Sequence, residues 1–231
     1  MKNIKVVFFD LDHTLWDFES NSRQTIGELL ERYGVVERYG IGFPEFMSVY
    51  ERINQSMWSA YSLGQISKDR LRSGRFKSTL NHFGVEDEKL SEDLSSDYVR
   101  ESPLKTNLFP YVHEVLSYLK PKYKLGLITN GFVEVQQIKI RQSKLEGYFD
   151  KVVISEQVGF KKPDPTIFLH AASLFQTHVS SCVMVGDNLE TDIRGATDAG
   201  MDAFHFDVTN IENQKKPYRS ISCLSDLKVI L

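Results

Sequence analysis

Hydrophobic positions along the chain follow two different rhythms, and the change between them divides the molecule. Five short runs are mainly apolar without strict alternation: Ile4 to Phe9, Lys124 to Ile128, Lys151 to Ile154, Cys182 to Val185 and Ala203 to Phe206. Such runs predict strands covered on both faces, as in a parallel sheet. Helix-period segments separate the last four, at about Val133 to Lys144, Thr166 to Phe175 and Leu189 to Ala199. Gly200 then stands where a helix is expected to end. Strand–helix alternation at this spacing predicts an α/β fold built on a doubly wound parallel sheet with right-handed crossovers.

The first interval breaks the rhythm. Between the first strand and Lys124 there is almost no strand signal, whereas Phe18 to Tyr33, Phe43 to Leu63, Lys68 to Phe83 and Glu88 to Glu101 all read as amphipathic helices. Gly34, the stretch from Gly40 to Pro44, Gly64 and Gly84 punctuate them. The pattern predicts an inserted α-helical domain, residues 18–102, in a core made of residues 1–17 and 103–231. Pro103 to Pro110 returns the chain to that core, and Tyr111 to Leu119 is expected to form one of its helices.

Composition adds mainly exclusions. A hydrophobic share of 41% over 231 residues can bury a sizeable core, and a net charge of −3 provides no field for a nucleic-acid polymer. Short basic runs such as Lys120 to Lys124 read as solvated surface. The N-terminus has no secretory pattern and no run is long enough for a membrane span. Cys182 and Cys223 make neither a disulfide framework nor a zinc site, and Cys182, opening an apolar strand, is expected as a buried thiol. The expectation is a cytoplasmic protein, monomeric or dimeric, with neither membrane nor nucleic-acid polymer as partner.

The candidate chemistry sits at strand ends. The apolar run Val6 to Phe9 stops at Asp10-Leu11-Asp12-His13-Thr14, placing two carboxylates at a sheet edge where open α/β folds bind ligands. Core packing does not call for carboxylates there, because a buried charge must be paired or metal-bound. The second strand ends Thr129-Asn130-Gly131, offering a hydroxyl and backbone N–H groups near a helix start, a favourable place for an anion. Lys162, confined by Pro163 and Pro165, can hold a phosphate or carboxylate as a point charge. The fourth strand ends Gly186-Asp187, with Asp192 about one helical turn further on. With Asp10 and Asp12 these form an oxygen-rich set suited to Mg²⁺.

Taken in order, Asp10-x-Asp12-x-Thr14-Leu15-x-Asp17, Thr129-Asn130-Gly131, Lys162-Pro163-Asp164-Pro165 and Gly186-Asp187-x4-Asp192 resemble the haloacid dehalogenase superfamily, most of whose members are phosphatases. The resemblance covers nearly the whole chain and implies a Rossmann-like core with a small helical cap inserted after the first strand. It also implies roles. Asp10 would be the nucleophile that forms an aspartyl phosphate, and Asp12 the acid and base. Mg²⁺ would be held by the Asp10 carboxylate, the Asp12 carbonyl and Asp187, with Asp192 orienting metal-bound water or the lysine. Thr129, Lys162 and the backbone of Asn130 and Gly131 would clamp the phosphoryl oxygens, while Thr14 supports the loop. His13 stands where many members carry glycine; it either tolerates an unusual backbone angle or faces the leaving group.

The implied activity is Mg²⁺-dependent phosphomonoester hydrolysis of a small phosphorylated metabolite. Leu15-Trp16-Asp17-Phe18-Glu19-Ser20-Asn21 is similar to the pyrimidine 5′-nucleotidase branch, which points to nucleoside 5′-monophosphates. Phosphatases of sugar phosphates or phosphoglycolate, a phosphomutase and a haloacid dehalogenase are the alternatives. Halide departure needs no proton, so Asp12 argues against the last. In the insertion, Trp58 and Tyr61 are candidates for stacking on a base or for core packing. Arg70, Arg72 and Arg75 are candidates for reaching a substrate or for a solvated helix face.

Overall fold

The structure, a computed structural model, describes residues 3–208 and 218–231. The chain forms two compact units, one comprising residues up to Phe18 together with Thr106–Leu231, the other Glu19–Lys105. The second unit extends three residues beyond the boundary expected from sequence. There Ser102–Leu104 turns tightly and Lys105 pairs with Glu28 at 2.6 Å, keeping the chain with the helices.

In the first unit, β1 (Val6–Phe9), β2 (Lys124–Thr129), β3 (Lys151–Ile154), β4 (Cys182–Gly186), β5 (Asp202–Phe206) and β6 (Arg219–Ile221) form one parallel sheet in the order β3-β2-β1-β4-β5-β6. The doubly wound sheet therefore stands as the apolar runs predict. β6 escaped the sequence reading because Arg219-Ser220-Ile221 is short and mostly polar, as an edge strand tolerates. Alternate residues of the central strands feed two apolar layers. Val7, Phe9, Leu125, Leu127, Val183 and Val185 join the layer of α6 (Val112–Leu119); Val6, Phe8, Ile128, Cys182 and Met184 join that of α9 (Pro165–Ser173). Cys182 is fully buried as expected, and burial pushes its thiol up to about 12.

The remaining helices of this unit include α7 (Val133–Gln142), α8 (Ser155–Val158), α10 (Gly195–Asp198) and α11 (Leu227–Ile230). The single helix expected from Leu189 to Ala199 is split. Leu189–Arg194 is a wider π-helical turn, with Ile193 N donating to Asn188 O, before α10 begins. Such turns are frequent at functional sites.

The second unit is all helical: α1 (Phe18–Arg32), α2 (Val35–Tyr39), α3 (Phe43–Ser62), α4 (Lys68–His82) and α5 (Glu88–Glu101). The short α2 was not expected, its five residues being too few for a helical period. Ser67 and Asp87 cap α4 and α5 by accepting from Arg70 N and Leu90 N. Ile26, Leu29, Phe46, Tyr50, Phe76, Leu94 and Tyr98 form a separate core. Arg75 is buried, donating to Asn54 at 3.1 Å with its guanidinium over the Tyr98 ring, so it does not belong to a solvated face. Tyr61 is buried and Trp58 half-buried, edge-to-face at 5.7 Å. Among the described residues no helix is long and apolar enough to cross a membrane.

Candidate active site

Register brings the strand ends together. Phe9 pairs with Leu127 on one side and Val185 on the other, and Asp10 N donates to Val185 O at 2.9 Å. Asp10, Thr129 and Asp187 therefore leave one sheet edge, where strand order reverses around β1, the switch point at which open α/β sheets bind ligands.

Three carboxylates meet there. Oxygens of Asp10, Asp187 and Asp192 all lie within 4.8 Å of one another. Lys162 Nζ donates to Asp10 Oδ1 at 2.7 Å and to Asp192 Oδ1 at 2.5 Å, and all three of these residues are buried. Burial holds the Asp10 carboxyl well above its usual range; Lys162 opposes this while Asp192 and Asp187 add to it. Burial and the Asp192 carboxylate push Asp187 up to about 7, against the pull of Lys162. For Lys162, burial lowers the ammonium's proton affinity, but its two carboxylate partners outweigh burial and raise it. With the carboxylates ionised, one lysine leaves the cluster two charges short of neutrality, which suits a hard divalent cation with oxygen ligands.

The π-helical turn serves this cluster. Asn188 caps it by accepting from Glu190 N and Thr191 N, and Asp192 Oδ2 accepts from Asn188 N at 3.1 Å. A Cβ on Gly186 would overlap the Asp192 side chain, so glycine is needed there. Thr14 is buried and donates to Asp187 Oδ1 at 3.2 Å, and His205 Nε2 donates to Asp187 O at 2.8 Å. Asn130 exchanges two bonds with the Lys162 backbone, donating to its carbonyl and accepting from its N–H at 2.9 Å each. Its side chain is thereby engaged, and Gly131 N donates to Thr129 Oγ1 at 3.2 Å.

Asp12 is held differently. Its Oδ1 pairs with Lys139, and its Oδ2 accepts from Gln136 Nε2 at 2.8 Å. Burial raises the Asp12 carboxyl, but Lys139 and then Gln136 outweigh it, leaving the group below its usual range. Lys139 Nζ lies 4.0 Å from the Trp16 ring centre and 5.5 Å from that of Phe18. Trp16 is fully buried, so this member of the Trp16-Asp17-Phe18 string packs in the core. His13 adopts φ 63°, the left-handed region that histidine enters more readily than most residues, and its ring lies 4.7 Å from that of Phe18. Sequence reasoning missed Gln136, Lys139 and His205. The first two sit three residues apart on one helix face, a spacing that an ordinary solvated face shares.

A family model described as haloacid dehalogenase-like hydrolase matches residues 4–200. The chain belongs to this family. Among curated relatives of this haloacid dehalogenase-like hydrolase, a pyrimidine 5′-nucleotidase of Escherichia coli is 31% identical, over 97% of this chain and 96% of the relative. A pyrimidine 5′-nucleotidase of Streptococcus pneumoniae is 30% identical, over 96% and 93% respectively. A solved hydrolase of the family from Bacillus subtilis, bound to magnesium and described as undergoing interdomain movement, superposes with TM-score 0.89 at 26% identity, covering 100% of this chain and 99% of that one. The fold, the family and a phosphatase class of enzyme thus agree with the motif reading.

Proposed function

We propose that this hydrolase cleaves pyrimidine nucleoside 5′-monophosphates to nucleoside and inorganic phosphate through an aspartyl phosphate on Asp10. The observation that carries the phosphatase chemistry is the division of labour between two neighbouring carboxylates. Asp10 lies in the Lys162 cluster while Asp12 is held separately by α7. The substrate class rests on the two nucleotidase relatives.

Asp10 attacks phosphorus as the ester P–O bond breaks. Lys162, Thr129 and the backbone N–H groups of Asn130 and Gly131 hold the equatorial oxygens. Asp12 in its acid form gives its proton to the departing alkoxide. In the free enzyme its pair with Lys139 favours the carboxylate, and a phosphoryl dianion entering nearby shifts the balance toward the acid. Water then attacks the acyl phosphate at phosphorus and gives its proton to the Asp12 carboxylate, releasing phosphate and restoring Asp10. Mg²⁺, with the Asp10 and Asp187 carboxylates and the Asp12 carbonyl as ligands and Asp192 steadying the set, would supply positive charge to the phosphoryl oxygens.

A phosphate-release screen across nucleoside monophosphates, sugar phosphates and phosphoglycolate, with Mg²⁺ or with chelator, tests this reading. Highest kcat/KM on a pyrimidine nucleotide, loss on chelation and loss in Asp10→Asn are expected. A tenfold preference for a sugar phosphate, about 1.4 kcal/mol of transition-state binding, overturns the substrate class alone. Activity in chelator overturns the metal, and turnover in Asp10→Asn overturns the nucleophile.

A further inference from the structure

Gln136 joins two parts of the site that the sequence motifs leave separate. Its Nε2 donates to Asp12 Oδ2 at 2.8 Å and to Thr129 Oγ1 at 2.7 Å, spending both amide hydrogens on the first and second motifs. The side chain is fully buried, in the first turns of α7, and Oε1 finds no partner among the described residues. A buried amide that leaves one end unsatisfied is costly, so the geometry at the other end is what the arrangement preserves. Gly131 completes the fit, because a Cβ there would overlap the Gln136 amide.

We propose that Gln136 is a positioning residue for phosphoryl transfer, fixing the Asp12 carboxyl relative to Thr129. Proton delivery requires the acid within hydrogen-bond reach of the leaving oxygen, which a phosphoryl group seated on Thr129 defines. Lys139 grips the other Asp12 oxygen from the same helix, and its contact with the Trp16 ring keeps that grip on a rigid wall. Gln136 carries no charge, so its replacement disturbs orientation with little change in the field at the site.

The inference rests on the phosphatase reading, and its test separates the two. Gln136→Met keeps the length and removes both donors. kcat/KM, which reports the steps through phosphoryl transfer, is compared for a nucleoside 5′-monophosphate, whose alkoxide needs a proton, and for 4-nitrophenyl phosphate, whose leaving group does not. We expect a loss of about 30- to 100-fold on the nucleotide and under about fivefold on the aryl ester, within the worth of general acid catalysis. In an Asp12→Ala background the same replacement should leave the ratio of the two substrates unmoved, since its effect passes through Asp12. Equal losses on both substrates, no loss on either, or a full additional change of ratio in the Asp12→Ala background would overturn the proposal. Should Gln136→Met fail to fold, Gln136→Leu, which also removes both donors without adding a charge, carries the same comparison. A wild-type protein inactive on both esters refutes the phosphatase reading itself.

Discussion

Replacing Lys162 by Met tests whether the carboxylate cluster is an electrostatic unit. The lysine is buried and donates to Asp10 at 2.7 Å and Asp192 at 2.5 Å, so Lys162→Met keeps most of the volume and strands three acidic groups within 4.8 Å of one another. Removing one partner of a buried pair costs about 3–5 kcal/mol, because the remaining charge is uncompensated. The variant limits that cost by taking up protons, and Asp187, already pushed up to about 7, makes uptake easy. The sign follows. The Asp10 and Asp187 carboxyls are raised in the folded protein, so their ionisation destabilises it, and the deficit of Lys162→Met should be largest near pH 8 and shrink toward pH 6. Urea unfolding in chelator measures it. At a slope of about 2–3 kcal/mol/M, the midpoint should fall by about 1–2 M at pH 8. The two units can unfold separately, so fluorescence of Trp16 in a Trp58→Phe background reads the sheet unit alone. Mg²⁺ should recover more stability in the variant than in wild type, since it enters a cluster one positive charge poorer. An unchanged midpoint at pH 8, or a deficit that grows on acidification, would refute the reasoning.

Titrating activity against Mg²⁺ should separate two aspartates. Asp187→Ala should weaken apparent metal affinity, whereas Asp12→Ala should lower turnover with affinity nearly unchanged, and identical shifts would contradict these roles. In the helical unit, hydrogen bonds from Arg32, against some burial and with help from Arg100, hold Glu101 down to about 2. A carboxyl depressed below its usual 4.5 stabilises the fold above that value and stops doing so as pH falls through about 2. Glu101→Gln should therefore flatten the acid limb of that unit's stability, measured by circular dichroism between pH 5 and 2; an unchanged limb would show that the bidentate Arg32 contact is fully screened.

What the sequence disclosed followed from periodicity. Strands buried on both faces are continuous apolar runs, so five of the six described strands and the polar residues at their ends could be placed. Asp10, Asp12, Thr129 and Asp187 were legible because charge or hydroxyl at the end of such a run conflicts with packing, whereas Lys162 drew notice through its flanking prolines and Asp192 through its place one turn beyond Asp187. Gln136 and Lys139 were not, because polar residues three apart on a helix match an ordinary solvated face until the helix is docked. Leu189–Arg194 could not be told from an α-helix, since the difference is one residue of hydrogen-bond register. β6 had too little hydrophobicity, and Arg75 too much charge, to look buried.

The central place of β1 has a consequence for how the chain is made. β1 is synthesised before both of its sheet neighbours, β2 and β4, which emerge more than a hundred residues later. The helical unit lies wholly within that delay and packs by contacts among its own helices, so it can fold on the ribosome while β1 waits without partners. Once folded, it shortens the flexible chain between β1 and β2 from about 110 residues to about 27, roughly two halvings, which lowers the entropy cost of closing that loop by about 1.2 kcal/mol. An insertion that lengthens the sequence thus eases closure of the sheet it interrupts, and variants that unfold the helical unit should slow assembly of the strands that carry Asp10 and Asp187.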